Sequence, residues 1–207
     1  MAEQGGGRDR LSRVVTRSGD RGETGLADGS RLSKTGGAIE LLGELDELNA
    51  RLGLLAVALA DEMSDERAEG GLQAFVREQQ QAVFDLGGVV AMGGQAVAAQ
   101  LPDLDRLEAW VESANRDLPP LREFILPGGS EAMARAHLAR TGTRRAERIA
   151  WAWQLECREG SSGIADLAAA LAAYLNRLSD AWFVFARQLD PDGRHTVYWR
   201  GASPDSD

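Results

Sequence analysis

The chain has 207 residues, enough for one domain with a buried core, and 43% of them are hydrophobic, as in a folded globular protein. Its formal net charge of −9 disfavours non-specific binding to nucleic acid or to an anionic membrane, since both require a basic surface. A single cysteine, Cys157, excludes an intramolecular disulfide and indicates a reducing compartment. With no signal-peptide core and no membrane-length apolar run, we expect a cytoplasmic protein.

The N-terminal region contains two segments of different composition. Residues 1–12 are glycine-rich and charged, which predicts a disordered tail. Residues 13–36 are dense in Gly, Ser, Thr and Asp without a helical period, which predicts an ordered loop with one extended turn. Its glycines and the hydroxyls of Thr16, Ser18 and Thr24 could wrap phosphates, although a plain glycine-rich turn is the default interpretation. The loop matches neither a Walker P-loop nor a G-x-G-x-x-G motif.

Five later segments carry apolar residues every three or four positions, the period of one helix face. Asp103 and Ser130 stand where they would cap the third and fourth helices. The predicted helices cover approximately residues 39–59, 72–90, 104–114, 131–157 and 164–189. Because the links are short and period-two alternation is nearly absent, we predict an all-α, up-and-down five-helix bundle. The domain would span residues 13–190, followed by an irregular tail over residues 191–207.

The fourth predicted helix carries a cationic face within an acidic protein. Four residues spaced i, i+4, i+7 and i+11 share that face, and two arginines flank it. The four are Arg140, Arg144, Glu147 and Trp151, and the flanking pair is Arg145 and Arg148. The spacing alone fits a solvated, salt-bridged face as well as a polyphosphate site, for which guanidinium groups are well suited.

Polar residues also interrupt the first and fifth predicted helices. On the fifth, Asn176, Asp180, Phe183 and Arg187 share a face that either bridges to the fourth helix or binds a ligand. On the first, Asp46 and Asn49 form a surface stripe, or Asp46 reaches an arginine across a helix or subunit interface. His137 fits a packing role, and neither it nor His195 lies at zinc-motif spacing, so we expect no protein-bound metal site.

The ordered motifs TRSGDRGETGL, GELDELNARLG, FILPGGS, HLARTGTRRAER and YLNRLSDAWFVFAR, with Lys34 between the first two, resemble the PduO-type corrinoid adenosyltransferases. The resemblance runs from about Val14 to the W-R-G near Trp199, almost the whole chain. It implies a ferritin-like five-helix bundle that assembles as a homotrimer with active sites between subunits. It also implies transfer of the adenosyl group of ATP to the cobalt(I) of reduced cobalamin, with release of triphosphate.

The resemblance assigns roles to particular residues. The loop would bind ATP through Thr16, Arg17, Ser18, Gly19, Thr24, Gly25 and Lys34. The two helix motifs would add the nucleotide-binding residues Arg144, Arg145, Glu147, Arg148 and Asn176. The catalytic residues would be Arg140, Arg144, Glu147, Asp46 and Phe124. Asp46 would pair with Arg144 across the subunit interface, and Phe124 would stand on the lower corrin face, displacing the axial base. Magnesium would accompany ATP, and a corrinoid reductase and an adenosylcobalamin-dependent mutase are the implied protein partners.

Three positions depart from the family's common pattern. Ala38 stands where many members have arginine, which puts one electrostatic contact in doubt, and Ser18 replaces a threonine while keeping the hydroxyl. Gly142 interrupts the fourth helix, where glycine costs roughly 1 kcal/mol relative to alanine.

Three other functions fit the sequence less well. A protein that only delivers adenosylcobalamin would keep the fold, but the intact loop, arginine and asparagine motifs favour an enzyme. A di-metal oxidase would need E-x-x-H motifs, which the chain lacks. A helical transcription regulator is disfavoured by the acidic charge.

Overall fold

The computed structural model describes residues 15, 17–62, 71–92, 101–158 and 162–201. The predicted tail over residues 1–12 and Thr16 lie outside the described residues. In the described part the chain forms two short strands, β1 and β2, and five helices, α1 to α5. Their bounds are β1 Glu23–Gly25, β2 Arg31–Ser33, α1 Gly37–Glu62, α2 Gln73–Ala91, α3 Leu104–Arg116, α4 Glu131–Cys157 and α5 Ser162–Gln188. The predicted five-helix architecture is confirmed.

The helices pack around one apolar core. Helix α1 lies between α2 and α4, α4 packs along α5, and α3 lies against α5. Most of the leucines that set the predicted period of α1 are buried, including Leu48 and Leu52, whereas Leu42 is only partly buried and Leu41 takes the core position beside it. Each fully buried leucine contributes roughly 1.5–3 kcal/mol through its burial. None of the helices in the described ranges is long and apolar enough to cross a membrane.

An aromatic cluster joins α2, α3 and α5. The rings of Phe75 and Trp110 stack with centroids 3.8 Å apart, and Trp182 meets Phe75 edge-on at 5.4 Å. Phe185 packs against the same group. This cluster holds the short, mostly polar α3 to the bundle, although Leu107 is the only residue of α3 that is buried.

Both predicted N-caps are confirmed. Asp103 Oδ1 accepts from the backbone N–H of Arg106 at 3.1 Å, and Ser130 Oγ accepts from Met133 N at 3.3 Å. Glu62, at the end of α1, accepts from Ser130 Oγ at 2.7 Å and from Ala132 N at 2.9 Å. The end of α1 is therefore tied to the start of α4, and the two helices run antiparallel.

The segment before α1 contains a β-hairpin where only a loop with an extended turn was predicted. Strands β1 and β2 pair antiparallel, with Thr24 opposite Leu32. Asp28 shapes the turn by accepting from the backbone N–H of Ser30 at 2.9 Å. Ala27 N donates to Ala91 O at 2.9 Å, which attaches the hairpin to the end of α2. Strands of three residues are too short to display an alternating pattern, which explains why the sequence did not reveal them.

The segment that follows α5 pairs with the stretch before α4. Leu126 N donates to Val197 O at 2.8 Å, and Trp199 N donates to Phe124 O at 2.7 Å. These two bonds flank an isolated antiparallel bridge between Ile125 and Tyr198. The pairing carries the chain's last described residues across the segment that contains Phe124.

Candidate active site

Helix α4 presents the predicted polar face at the protein surface. Arg144 and Arg148 are exposed, while Arg140 and Glu147 are half-buried. Glu147 Oε1 accepts from Asn176 Nδ2 of α5 at 3.0 Å. The structure thus brings together the glutamate and the asparagine that were predicted from separate motifs, beside arginines that remain accessible to an anion.

Arg145 lies in a different environment from its neighbour Arg144. Its Nε donates to Glu44 Oε2 of α1 at 3.0 Å, and the Glu44 side chain is only 3% exposed. Burial raises the pKa of Glu44, and the positive charge of Arg145 only partly opposes that rise. Arg145 therefore joins α1 to α4 through one edge of its guanidinium, with 60% of its side chain still exposed.

Gly142 provides room for a second arginine at this helix contact. A Cβ at position 142 would overlap the guanidinium of Arg51, whose Nη1 lies 3.7 Å from Glu44 Oε1. The glycine that looks unfavourable for helix α4 is therefore explained by close packing, because any larger residue would displace Arg51 from the buried Glu44 carboxylate.

A cavity of about 540 Å³ lies between α4, α5 and the segment before α4. Its lining includes Arg140, Phe183, Leu121, Ile125 and Phe124. Burial, and then the nearby charge of Arg144, lowers the pKa of Arg140. Its buried Nε has no hydrogen-bond partner among the described residues. The cavity therefore combines an apolar wall with a guanidinium whose hydrogen-bonding capacity is not fully used.

Two aromatic residues near this cavity were not predicted as site residues. Phe183 lines the cavity, although the sequence placed it only on the polar face of the fifth helix and predicted no role for it. Trp199 meets Phe124 edge-on, with ring centroids 6.4 Å apart at 72°. In the sequence, only the W-R-G match at Trp199 pointed to a role for this tryptophan. Phe124 itself is 77% exposed, so its ring is available to a ligand.

The N-terminal loop supplies further cationic and backbone groups. A Cβ at Gly19 would lie 3.0 Å from Lys34 Nζ, so the glycine lets the lysine amine approach the loop backbone. Arg17 adopts φ 59°, a left-handed conformation that is uncommon for residues other than glycine. The carbonyl of Ser18 accepts from Arg31 Nη2 at 2.9 Å. Thr24 and Gly25 belong to strand β1, so both predicted residues lie in the hairpin.

The end of the loop and the Phe124 cavity lie at different levels of the bundle. Gly37, directly after the loop, packs against Glu156 near the end of α4. From that level to Arg140, which lines the cavity, is about 24 Å along the helix at 1.5 Å per residue. Asp46 is exposed beside a second cavity of about 280 Å³ between α1 and α2, and no salt bridge joins it to Arg144 within the described chain.

His137 is a buried histidine next to this site, and we expect it to make stability pH-dependent. It is 4% exposed, its ring lies 6.4 Å from that of Phe183, and burial, then the charge of Arg140, lowers its pKa below 6.5. Because the unfolded chain binds the proton more readily, we expect stability to fall as pH drops below about 6.5. Each unit by which folding lowers the pKa of His137 corresponds to about 1.4 kcal/mol in the free energy of unfolding at low pH.

Denaturant unfolding between pH 8 and pH 5 measures this effect, with His137→Gln as the non-titrating comparison. The wild-type free energy of unfolding should decrease more steeply towards pH 5 than that of the variant. Equal decreases would show that His137 does not carry the pH dependence.

The fold and the site together define a helical-bundle protein with an exposed arginine face on α4, a glycine-rich loop that carries cationic side chains, and a cavity lined in part by aromatic residues. The chain belongs to the cobalamin adenosyltransferase family, whose model matches residues 14–189.

Individual relatives agree with this membership. A cobalamin adenosyltransferase of Cupriavidus metallidurans is 39% identical over 199 residues, covering 93% of this chain and 96% of the relative. A corrinoid adenosyltransferase of Mycobacterium tuberculosis is 39% identical over 192 residues, covering 92% and 94%. A solved variant of a PduO-type ATP:corrinoid adenosyltransferase from Lactobacillus reuteri, complexed with cobalamin and ATP, has a TM-score of 0.70 at 27% identity. That match covers 91% of this chain and 100% of the solved chain.

Proposed function

We propose that this chain transfers the 5′-deoxyadenosyl group of ATP to the cobalt(I) of reduced cobalamin, forming adenosylcobalamin and releasing triphosphate. The observation that carries the proposal is the α4 face, where exposed Arg144 and Arg148 flank a Glu147 that is fixed by Asn176. Solved relatives bind both ATP and cobalamin, which supports the same two substrates here.

The reaction needs positioning and charge stabilisation more than an activated side chain. Cobalt(I) donates an electron pair to the ribose C5′ carbon, the bond from C5′ to its phosphate oxygen breaks, and triphosphate leaves with that bonding pair. The protein must hold cobalt in line with C5′ and stabilise the negative charge on the departing group.

We assign the stabilisation of triphosphate to groups from α4 and from the loop. On α4 these are Arg144 and Arg148, with Arg145 contributing only through the edge of its guanidinium that Glu44 leaves accessible. On the loop the groups are Thr16, Arg17, Ser18, Gly19, Thr24, Gly25 and Lys34. The left-handed backbone at Arg17 and the approach of Lys34 to Gly19 support a loop shaped to surround an anion.

Magnesium would enter this site together with the nucleotide. Among the described residues no three His, Cys, Asp or Glu side chains cluster as a metal site. Mg²⁺ usually takes substrate phosphate oxygens, waters and one or two carboxylates, so an accompanying ion fits this donor set. Glu147 is the carboxylate on the arginine face that would contribute. The ion would neutralise part of the triphosphate charge.

The corrin would occupy the cavity near Phe124. An exposed aromatic ring beside an apolar wall suits a large, flat macrocycle. A ring against the lower corrin face would displace the axial base, and removing that ligand makes reduction of cobalt easier. Arg140, in the same cavity, would interact with polar substituents of the corrin or with the neighbouring phosphates.

The complete site would form between two subunits of a homotrimer. The distance of about 24 Å along α4 between the level of Gly37, where the loop ends, and Arg140 supports this arrangement, because within one chain the end of the loop is well separated from the cavity. Exposed Asp46 would then pair with Arg144 of a neighbouring subunit.

We further propose a cytoplasmic enzyme that receives cobalamin with the help of a corrinoid reductase and passes its product to a mutase.

Anaerobic incubation of the purified protein with Mg-ATP and chemically reduced cobalamin tests the proposed function. We expect the visible spectrum of cobalt(I) to change to that of adenosylcobalamin, with one triphosphate released for each cobalamin. Saturable binding of both ligands without conversion would instead indicate a delivery role. Binding of neither ligand would refute the proposal.

A further inference from the structure

Asp190, two residues after α5, is a buried hydrogen-bonding centre that the proposed reaction does not use. Its side chain is only 3% exposed. Its Oδ1 accepts from the backbone N–H of Arg194 at 2.8 Å, while Oδ2 accepts from His195 N at 3.0 Å and from Thr196 Oγ1 at 2.8 Å. Both carboxylate oxygens are therefore occupied by donors from a single turn of the chain.

This arrangement favours an ionised carboxylate, because donors face both of its oxygens. Burial alone would oppose ionisation, but the hydrogen bonds from Thr196 and His195 outweigh it and hold the pKa of Asp190 below its ordinary value. Asparagine has nearly the same shape but offers one acceptor oxygen and one NH₂ group. That NH₂ group would face a donor, whichever way the amide is turned.

The turn that Asp190 holds leads directly into the strand-like segment that pairs with Phe124. Val197 O accepts from Leu126 N at 2.8 Å, and Trp199 N donates to Phe124 O at 2.7 Å. The Trp199 ring also meets the Phe124 ring edge-on at 6.4 Å. The C-terminal segment therefore contacts both the backbone and the ring of the residue that lines the proposed corrin cavity.

Core packing does not hold Phe124 in place. Its side chain is 77% exposed, so burial contributes little to its position. The other anchor of this region is Arg187, which donates to Asn115 Oδ1 at 3.1 Å and to the carbonyl of Pro119. That anchor fixes the start of the connection from α3, several residues before Phe124. The backbone position of Phe124 itself depends on its pairing with the C-terminal segment.

We propose that Asp190 is a positioning residue for Phe124, because it fixes the turn over residues 194–196 that presents Val197 and Trp199 to the Phe124 segment. The role of Phe124 at the corrin rests on the proposed function, whereas the structural coupling of Asp190 to residues 124–126 does not. In this proposal Asp190 acts only through the backbone pairing.

The structural part is tested by amide hydrogen exchange on full-length Asp190→Asn. We expect faster exchange at the amides of Leu126 and Trp199 and unchanged exchange in the middle of α1 and α4. Asp192→Asn is the matched control, since Asp192 is exposed and its one salt bridge among the described residues is with Arg194 at 3.2 Å. Unchanged exchange at both reporter amides would overturn the coupling, even if the protein proved to have no adenosyltransferase activity.

The functional part is tested by two assays, one starting from cobalt(II)alamin with a reductant and one from pre-reduced cobalt(I)alamin. For Asp190→Asn we expect a loss of about tenfold or more in the cobalt(II) assay, comparable to the loss when a hydrogen-bonding partner that orients a metal ligand is removed. ATP affinity and the cobalt(I) assay should change little. We also expect less four-coordinate cobalt(II) in the electron paramagnetic resonance spectrum of the ATP-bound protein.

Thr196→Val is a milder second variant, in case Asp190→Asn fails to fold. It removes one of the hydrogen bonds to Asp190 and leaves the carboxylate in place. It should show the same pattern with a smaller loss. Equal losses in both assays, or no loss in either, would overturn the positioning role of Asp190.

Discussion

Replacing Arg144 with alanine should lower kcat by about two to three orders of magnitude, the usual effect of removing one preorganised donor to a developing charge. The reason is that Arg144 is exposed on the α4 face and makes no salt bridge within the described chain, so the guanidinium donors that Asp46 of the partner subunit leaves free can bind the triphosphate. The measurement is the anaerobic conversion of cobalt(I)alamin at saturating Mg-ATP, with circular dichroism to verify that the helices remain folded.

Two variants make the Arg144 result specific. Arg144→Lys keeps the charge but loses the planar pair of donors, so it should recover only part of the activity. Arg135→Ala removes an arginine of the same helix that already pairs with Glu131, and it should behave like the wild type. Full activity in Arg144→Ala would exclude the role assigned to this side chain.

Replacing Phe124 with alanine should affect the two cobalt assays unequally. If the ring displaces the lower axial base, its loss removes the assistance to cobalt reduction, so conversion from cobalt(II)alamin should fall by about 100-fold or more, equivalent to ~2.7 kcal/mol. Conversion from pre-reduced cobalt(I)alamin should fall by much less, because that substrate no longer needs the ligand change. Because Phe124 is 77% exposed, the thermal unfolding midpoint should hardly move.

The cobalt(I) assay is the internal control for Phe124→Ala, and Phe124→Tyr, which keeps the aromatic ring, should retain most of the cobalt(II) activity. Similar losses in the two assays would mean that Phe124 contributes general binding and not removal of the axial base.

The helices could be predicted because each one carries its own signals. The apolar period of α1 and α5 marks the faces that pack in the core, and Asp103 and Ser130 cap their helices through contacts only three residues away. The hairpin could not be predicted in the same way. Its six strand residues are too few for a pattern, and its position depends on a bond from Ala27 to Ala91 at the far end of α2.

The candidate site was only partly predictable for a related reason. The spacing placed Arg140, Arg144 and Glu147 on one helix face, but it could not show that Arg145 engages a buried Glu44 on α1. It also could not explain Gly142 of α4, which leaves room for the side chain of Arg51 from α1. Both are contacts between helices α1 and α4, and they follow from how the two helices dock.

By itself the sequence determined the bundle class, the helix caps, the chemical character of the α4 face and, through its ordered motifs, the family. Those properties depend on local spacing and side-chain chemistry. Only the tertiary structure decided that Glu147 meets Asn176, that Phe124 and Phe183 share a cavity, and that Asp190 anchors the segment paired with Phe124. The physical reason is that hydrogen bonds and cavities between distant segments exist only after the helices pack and bring those segments within a few ångströms of each other.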